Sequence, residues 1–483
     1  MSKIKKFKYI PKDKRKKILL VCDDIRVHSG VATVAKEIVT HTAGHYNWVQ
    51  IAGALKHPDE RKKLDISADC NKYAGIDDAS VMLYGVNGYG NPEILRGVIG
   101  AEKPDAIFLV TDPRYFRFIF NMEHEIRKNI PIAYLNIWDD YPAPMYNQAF
   151  YESCDLLMGI SKQTVNINRL VLDDRIGNRI LKYVPHGLDH NIYKPIPDDD
   201  EELIKFRKTI LGNNHKDIDF IGYFNSRNIR RKQIPDTMMA FRHFLDQLPE
   251  EKAHKCRLIL HTELSSDHGT DLVRVNEYLF GEKYPNAVIF STHKLTQPQL
   301  NMLYNIADVQ MLLTSNEGWG LTITEAILAG TPIIANTTGG MQDQMRFTDD
   351  EGNWFTPTPE IPSNHRGTFK EHGEWAFPVY PACRSIQGSP PTPYIFDDRC
   401  RWEDATERLL EVYDLGRDER KKRGLKGREW AISDEAGFTS ERQGLRVLDA
   451  LDELFKTWEP RPKIEITNTN DYKGHFLNHN IVY

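Results

Sequence analysis

The sequence contains no apolar run approaching the ~18 residues that a membrane-spanning helix needs. Its richest stretches, such as 106–110 and 309–313, are strand-sized, so no transmembrane segment is expected. Cysteines are few: Cys22, Cys70, Cys154, Cys256, Cys383 and Cys400 are scattered, with no Cys-x-x-Cys and no close Cys/His spacing. That pattern offers neither a zinc ribbon nor a disulfide scaffold and suits reduced thiols in a cytoplasmic compartment. No apolar segment or small-residue cleavage site follows the basic N-terminus, so no secretory signal is expected there. No internal repeat is visible beyond a two-domain symmetry.

What is present is ordinary globular material: 40% hydrophobic, 27% charged and 10% aromatic residues over 483 positions. This usage excludes collagen-like, coiled-coil and wholly disordered readings. The length is about three times a ~150-residue domain, which favours two domains plus an embellishment. Net charge is −5, yet residues 1–17 carry nine Lys/Arg against one Asp, so the body is more acidic than the total indicates. A basic arm of that kind suits an anionic surface or nucleic acid, or is simply a solvated tail, while the acidic body argues against wholesale wrapping of DNA.

From residue 17 the chain reads strand, polar loop, helix, and the unit recurs. Apolar strands are expected near 18–22, 106–110, 132–137 and 156–160, then near 218–224, 257–260, 287–291, 309–313 and 332–335. Short apolar strands alternating with helices predict an α/β protein with parallel sheets covered on both faces. Prolines and the acidic run 198–202 interrupt the pattern and mark a boundary. The organisation expected is therefore a basic arm (1–16), a first Rossmann-like domain (17–190), a linker (191–217), a second Rossmann-like domain (218–440), a C-terminal helix (441–458) and a tail (459–483). Within the second domain, periodicity disappears over 347–401, a Pro- and aromatic-rich stretch expected to be an irregular insertion.

In an open parallel sheet, ligands bind beyond the carboxyl ends of the strands. The most informative such loop is Ser315-Asn316-Glu317-Gly318-Trp319-Gly320-Leu321-Thr322-Ile323-Thr324-Glu325, continuing to Gly339-Gly340. Gly318 and Gly320 let backbone amides approach a ligand closely, and the following helix N-terminus supplies about half a positive charge toward an anion. Glu317 and Glu325 place two carboxylates, good acceptors for sugar or ribose hydroxyls, around one small ligand. Local spacing alone leaves a second reading open, in which Thr322-x-x-Glu325 is a capping box serving only its own helix.

This stretch resembles the Glu-x7-Glu signature of the family 4 (group 1) glycosyltransferases, retaining enzymes of the GT-B fold, with two Rossmann-like doubly wound parallel-sheet domains facing across a cleft. The resemblance extends over most of residues 17–345. It implies that Glu317 addresses the donor sugar, that Glu325 addresses the nucleotide ribose, and that Gly318, Trp319, Gly320, Leu321 and Thr322 form the donor loop. Val184-Pro185-His186-Gly187-Leu188-Asp189 resembles the family's interdomain segment, and Arg227 and Lys232 resemble the Arg and Lys that clamp the donor diphosphate. A solvated basic loop is the plainer reading of the latter, since Arg230 and Arg231 are basic too. Gly30 stands in a loop that is Gly-Gly in the family, and His293, Lys294 and Leu295 fall where the nucleobase is seated by backbone contacts. The family's His-Asp pair is replaced by Trp138-Asp139, and Asp343 stands where a Glu is frequent.

The resemblance implies transfer of a sugar from a nucleoside diphosphate sugar, with retention, no obligatory metal and no covalently bound cofactor. The catalytic candidates are Arg227, Lys232, Glu317 and Asp139. Glycan, lipid, metabolite, protein and modified DNA base remain open as acceptors. A nucleotide-sugar epimerase and a non-catalytic nucleotide-sugar binding protein of the same fold are the alternatives. Asp217-Ile218-Asp219 has the form of a metal motif but precedes a strand, pointing away from the cleft. His261, just after a strand, is the histidine best placed for the cleft. The alternating Arg and aromatic residues of 114–120 read as a helix core face rather than a membrane or nucleic-acid surface.

Overall fold

Runs of β-branched and aromatic residues, buried on both faces, alternate with amphipathic helices and assemble into two sheets. The structure is a computed structural model and describes residues 9–461. The first sheet comprises β1 (Lys16–Asp23), β2 (Tyr46–Ala54), β3 (Lys63–Asp65), β4 (Val81–Asn87), β5 (Ala106–Val110), β6 (Ile132–Asn136), β7 (Leu156–Gly159) and β8 (Ile180–Tyr183). Their order is β3-β4-β2-β1-β5-β6-β7-β8, parallel except for β3 at the edge. The second comprises β9 (Phe220–Asn225), β10 (Cys256–His261), β11 (Val288–Ser291), β12 (Val309–Leu312), β13 (Ile333–Asn336) and β14 (Ala376–Val379). It is parallel throughout, in the order β11-β10-β9-β12-β13-β14.

Each sheet reverses its winding once, between β1 and β5 and between β9 and β12. At such a reversal the loops leaving neighbouring strands splay to opposite faces and open a crevice. The cores lie between these sheets and their helices. Leu20, Phe108 and Phe224 are essentially inaccessible, each contributing about 1.5–3 kcal/mol by burial. Helix Ser440–Thr457 starts against the second domain and returns to the first, packing on helix Gly30–Thr42. There Asp452 accepts a bond from Tyr46 at 2.8 Å and Glu453 pairs with Lys182 at 2.7 Å.

Three expectations are corrected, and one helix is added to them. The linker 191–217 contains helix Glu201–Leu211, and the acidic run that marked the boundary is its cap and first turn: Asp200 accepts from the Leu203 amide at 2.9 Å. The stretch 347–401 is not irregular throughout. It supplies β14, and then an antiparallel hairpin of β15 (Pro381–Ser389) and β16 (Thr392–Cys400). Pro378 is tolerated because β14 is an edge strand. A 17-residue helix, Gly416–Ile432, occupies a stretch the sequence reading left unassigned. Finally, the end of the basic arm is not a solvated tail. Arg15 is buried against Asp78 at 2.7 Å, and Lys16 and Lys17, already within β1, pair with Asp105 and Glu102. Residues 1–8 of the arm and 462–483 of the tail lie outside the described residues.

The Arg114–Phe120 stretch does form a core face, with Phe116, Ile119 and Phe120 buried. Among the described residues, no helix is long and apolar enough to cross a membrane. All six cysteines are unpaired.

Candidate functional site

The loops leaving the carboxyl ends of β1 and β6 in the first sheet meet those leaving β9, β12 and β13 in the second. After β12 the chain turns through Gly320 into helix Leu321–Ala329. Gly320 is the N-cap with φ 86°, a left-handed conformation that favours glycine, and no side chain caps the helix. The Thr322/Glu325 capping box therefore does not form; the Ile323 amide donates to the Gly320 carbonyl at 2.9 Å, and the Leu321 and Thr322 amides remain available to whatever enters the crevice.

Glu317 Oε2 accepts from Arg231 Nη1 at 2.9 Å and from Lys232 Nζ. Arg231 also donates to the Asn316 carbonyl at 2.6 Å. Burial alone would raise the Glu317 pKa, but the Lys232 and Arg231 charges outweigh it and bring it down to about 2. Burial pushes Lys232 down from its ordinary value, with Glu317 opposing. Among the described residues, nothing donates to Glu317 Oε1, which is left with its full accepting capacity.

Glycines allow this loop to be pressed from two sides. A Cβ at Gly318 would lie 2.7 Å from the Ile137 carbonyl and 3.0 Å from Asp139 Oδ1, both in the first domain. A Cβ at Gly339, where φ is +52°, would lie 1.8 Å from the Glu317 carbonyl. Asp139 thus faces the Glu317 loop across the crevice. Burial raises its pKa, Arg231 opposing and Glu317 adding to the effect. Trp138 instead turns into the first-domain core, its indole donating to the Asp140 carbonyl at 2.8 Å.

Glu325 lies one helical turn further on. It accepts from Tyr304 at 2.5 Å and from Tyr193, in the crossover between the domains, at 3.1 Å. Burial raises its pKa to about 7 against these two hydrogen bonds. Opposite, Ser29 caps helix Gly30–Thr42 by accepting from the Ala32 amide at 3.0 Å and is itself held by Asp23 at 2.6 Å. A Cβ at Gly30 would be 3.3 Å from Leu321. Two helix N-termini, one from each domain, therefore open on the same volume.

Other candidates sit elsewhere on this edge. Arg227 is exposed, and among the described residues its guanidinium makes no hydrogen bond or ion pair. His293 and Lys294 are exposed and Leu295 half-buried on the loop after β11. His261 ends β10 and contacts Ser291 at 3.0 Å. The Trp319 side chain is 2% exposed and packs away from the crevice, donating to Thr324 at 2.9 Å. Thr322 is half-buried in the first turn. Asp343 ties the domains, accepting from the Lys162 amide at 2.8 Å and the Tyr183 hydroxyl at 3.0 Å, and burial raises its pKa to about 6. The Asp217/Asp219 pair precedes β9, at the opposite edge of the sheet.

Sequence reasoning passed over Arg231, Tyr193 and Tyr304 as side chains of the site; it singles out the insertion 347–401 as a candidate acceptor element or lid, but not the β15–β16 hairpin within it. The hairpin is anchored beside the loops that follow β12 and β13: the Asp398 amide donates to the Ser315 carbonyl at 2.8 Å, and Thr338 donates to the Asp398 carboxylate at 2.9 Å. It also reaches the first domain, where the Phe396 amide meets the Tyr141 carbonyl at 2.6 Å, Tyr146 donates to the Tyr394 carbonyl at 2.8 Å and Arg114 to Thr392 at 2.6 Å. Arg384 holds Asp398 and lies 4.0 Å from the buried Asp140.

Residues 226–361, which carry the Glu317 and Glu325 side of the crevice, match the family model described as Glycosyl transferases group 1. A mannosylfructose-phosphate synthase from Agrobacterium fabrum is 24% identical over 191 residues. Those residues are 40% of this chain and 39% of that protein, so the chain spans about two fifths of the length of this curated relative. Among solved structures, Anabaena HepE in complex with UDP-glucose matches with a TM-score of 0.61 at 16% identity, over 91% of this chain and 100% of that one. Sucrose-phosphate synthase from Thermosynechococcus elongatus matches with a TM-score of 0.63 at 15% identity, over 92% and 100%. At such identities the structural likeness speaks for the fold. The two domains form a GT-B fold, and within the second it is residues 226–361 that match the group 1 glycosyltransferase model.

Proposed function

We propose that the chain transfers a sugar from a nucleoside diphosphate sugar to an acceptor hydroxyl with retention of configuration. The observation that carries this reading is the Glu317 carboxylate, charged and held by Arg231 and Lys232 through one oxygen while the other is free. The two cations and the N-termini of helices Leu321–Ala329 and Gly30–Thr42 offer a diphosphate its counter-charge. Arg227 stands on the open lip of the same loop, available to a phosphate entering from solvent. Glu317 Oε1 then accepts from a donor-sugar hydroxyl. Glu325 takes the ribose hydroxyls, and the loop 291–296, with His293, Lys294 and Leu295, borders the base.

In the reaction the bond between the anomeric carbon and the diphosphate oxygen breaks, and the bond to the acceptor oxygen forms on the same face. The acceptor proton passes to the departing phosphate oxygen. Lys232 and Arg231 stabilise the charge that grows on the diphosphate. Asp139 borders the anomeric region from the first domain, and the hairpin roofs the acceptor side. The UDP-glucose bound to HepE and the sugar-phosphate products named for the two synthases favour a hexosyl donor.

A thermal-shift panel of nucleoside diphosphates and nucleotide sugars tests the reading. One nucleotide family should stabilise the wild type and lose that effect in both Lys232→Ala and Glu325→Ala. A panel without any stabilising member would refute it.

A further inference from the structure

A cavity of about 330 Å³ lies at the amino ends of β12 and β13, on the edge of the second sheet opposite the donor loops. Its size falls within the ~300–1,000 Å³ range of small-molecule sites. The apolar part of its wall comes from Pro195, Pro197, Pro332 and Leu425. Its charged part comes from helix Gly416–Ile432, through Arg417, Arg420 and Lys421, and from helix Glu201–Leu211, through Arg207.

Of the three carboxylates that line the cavity, Asp219 lies 3.8 Å from the Lys255 ammonium, and the other two are already engaged. Asp198 pairs with Arg417 at 3.1 Å and with Lys421, and Asp308 pairs with Arg420 at 2.8 Å while its other oxygen accepts the Ile221 amide at 2.8 Å. Arg207 is different. It donates to the carbonyls of Ile218 at 2.8 Å, His215 at 3.3 Å and Ile306 at 3.4 Å, and among the described residues it pairs with no carboxylate. A partly buried guanidinium beside three further cations, on an apolar floor, is the setting in which a small dianion gains most from charge-assisted bonds.

The same walls reach the donor site. Arg428, on the helix that carries Arg417 and Lys421, donates to the carbonyls of Tyr193 at 2.8 Å and His190 at 3.0 Å and to that of Leu328. Tyr193 holds Glu325, and two residues later Pro195 enters the cavity wall. Helix Leu321–Ala329 has the donor loop at its start and the cavity at its end, about 13 Å apart at 1.5 Å per residue.

We propose that this cavity is a second ligand site, taking a small phosphomonoester, and that its occupant is linked to donor affinity through the Arg428-clamped crossover and Tyr193. The site itself stands independently of the donor reading, whereas the linkage rests on Glu325 being a donor residue. The test titrates inorganic phosphate and glycerol phosphate calorimetrically into the full chain. Binding should weaken at least tenfold in Arg207→Gln and in Leu425→Trp, which fills the cavity from its exposed side, and persist in Lys232→Ala. Absence of binding, or binding lost in Lys232→Ala and unchanged in Leu425→Trp, would overturn the site. At saturating phosphate the affinity for the stabilising nucleoside diphosphate should change at least fivefold, with the reciprocal effect on phosphate. An unchanged affinity overturns the linkage. Phosphate binding without any nucleotide binding would instead sink the donor reading and leave the second site standing.

Discussion

Replacing Glu317 by Gln keeps the shape of the side chain and removes the charge on which Arg231 and Lys232 converge. A carboxyl brought from 4.5 to about 2 contributes about 3 kcal/mol to native stability at neutral pH, at about 1.4 kcal/mol per pH unit. The side chain is only 14% exposed, so solvent screening removes little of this. Because the native pKa is the lower one, the contribution is fully present above 4.5 and is lost as pH falls toward 2. The variant also leaves two cations, Arg231 and the buried Lys232, beside one another without a counter-ion. For a domain of this size, about 3 kcal/mol corresponds to a loss of roughly 6–12 °C in Tm at pH 7. Differential scanning calorimetry should show that gap at pH 7 and show it closing as the pH is lowered from 5 toward 3. A nucleoside diphosphate supplies replacement negative charge, so it should raise the Tm of Glu317→Gln by more than that of the wild type, while sugar transfer is lost. A variant as stable as wild type at pH 7, or a gap independent of pH, would refute the assignment of Glu317 as the counter-ion.

Glu325, raised to about 7 by burial, binds more protons in the native state than unfolded between pH 4.5 and 7. Its contribution to stability therefore declines as pH rises through that window. Nucleotide affinity should rise over pH 6–8 as the carboxylate forms, and Glu325→Gln should flatten that dependence; affinity that is intact and unchanged in profile would return Glu325 to a structural role. Arg231→Ala should lower both stability and donor affinity, since Glu317 loses one of its two cations, whereas Arg227→Ala should weaken diphosphate binding with the melting temperature unchanged. Equal melting temperatures for the two variants would contradict the pairing. Replacing the hairpin tip, residues 386–395, by two glycines keeps Arg384 and Asp398 but removes Thr392 and Tyr394 from Arg114 and Tyr146. Acceptor transfer should fall about tenfold relative to donor hydrolysis, and an unaltered ratio would exclude the hairpin from the acceptor side.

The fold was legible where strands are buried on both faces, because apolar runs such as 106–110, and 309–312 with its single Gln310, have no other economical use in a chain that alternates them with helices. It was illegible where a residue's local preference opposes its tertiary role. Helix Gly416–Ile432 carries glycines that speak against a helix, yet a Cβ at Gly424 would lie 1.9 Å from the Gly330 carbonyl. The glycine is there so that the helix can touch the turn that ends helix Leu321–Ala329. Likewise Asp198 to Glu202 read as a solvated break because acids punctuate both linkers and helix starts, and only the Asp200 bond to the Leu203 amide separates the two.

The site divides along the same line. Its backbone cradle was readable, since glycines at 318, 320 and 339 meet carbonyls, side chains and a positive φ that a Cβ would not tolerate, and such constraints are written into residue identity. Its charge pairing was not. In Arg227-Asn228-Ile229-Arg230-Arg231-Lys232 four cations are chemically close to interchangeable, and the resemblance favoured the outer two. What selects among them is the 3-10 turn Arg230–Lys232, in which successive side chains point about 120° apart. Lys232 is thereby buried, Arg231 is directed to Glu317, and Arg230 is left in solvent. Tyr193 and Tyr304 were hidden for a related reason: a carboxylate states that it needs donors but not where they come from. Glu325 takes one from the interdomain crossover, one from helix Gln297–Ile306 and a longer one, 3.5 Å, from Asn225 at the end of β9. A carboxylate whose donors belong to separate segments senses their relative placement, so Glu325 and the crossover between the domains are one mechanical unit rather than neighbours.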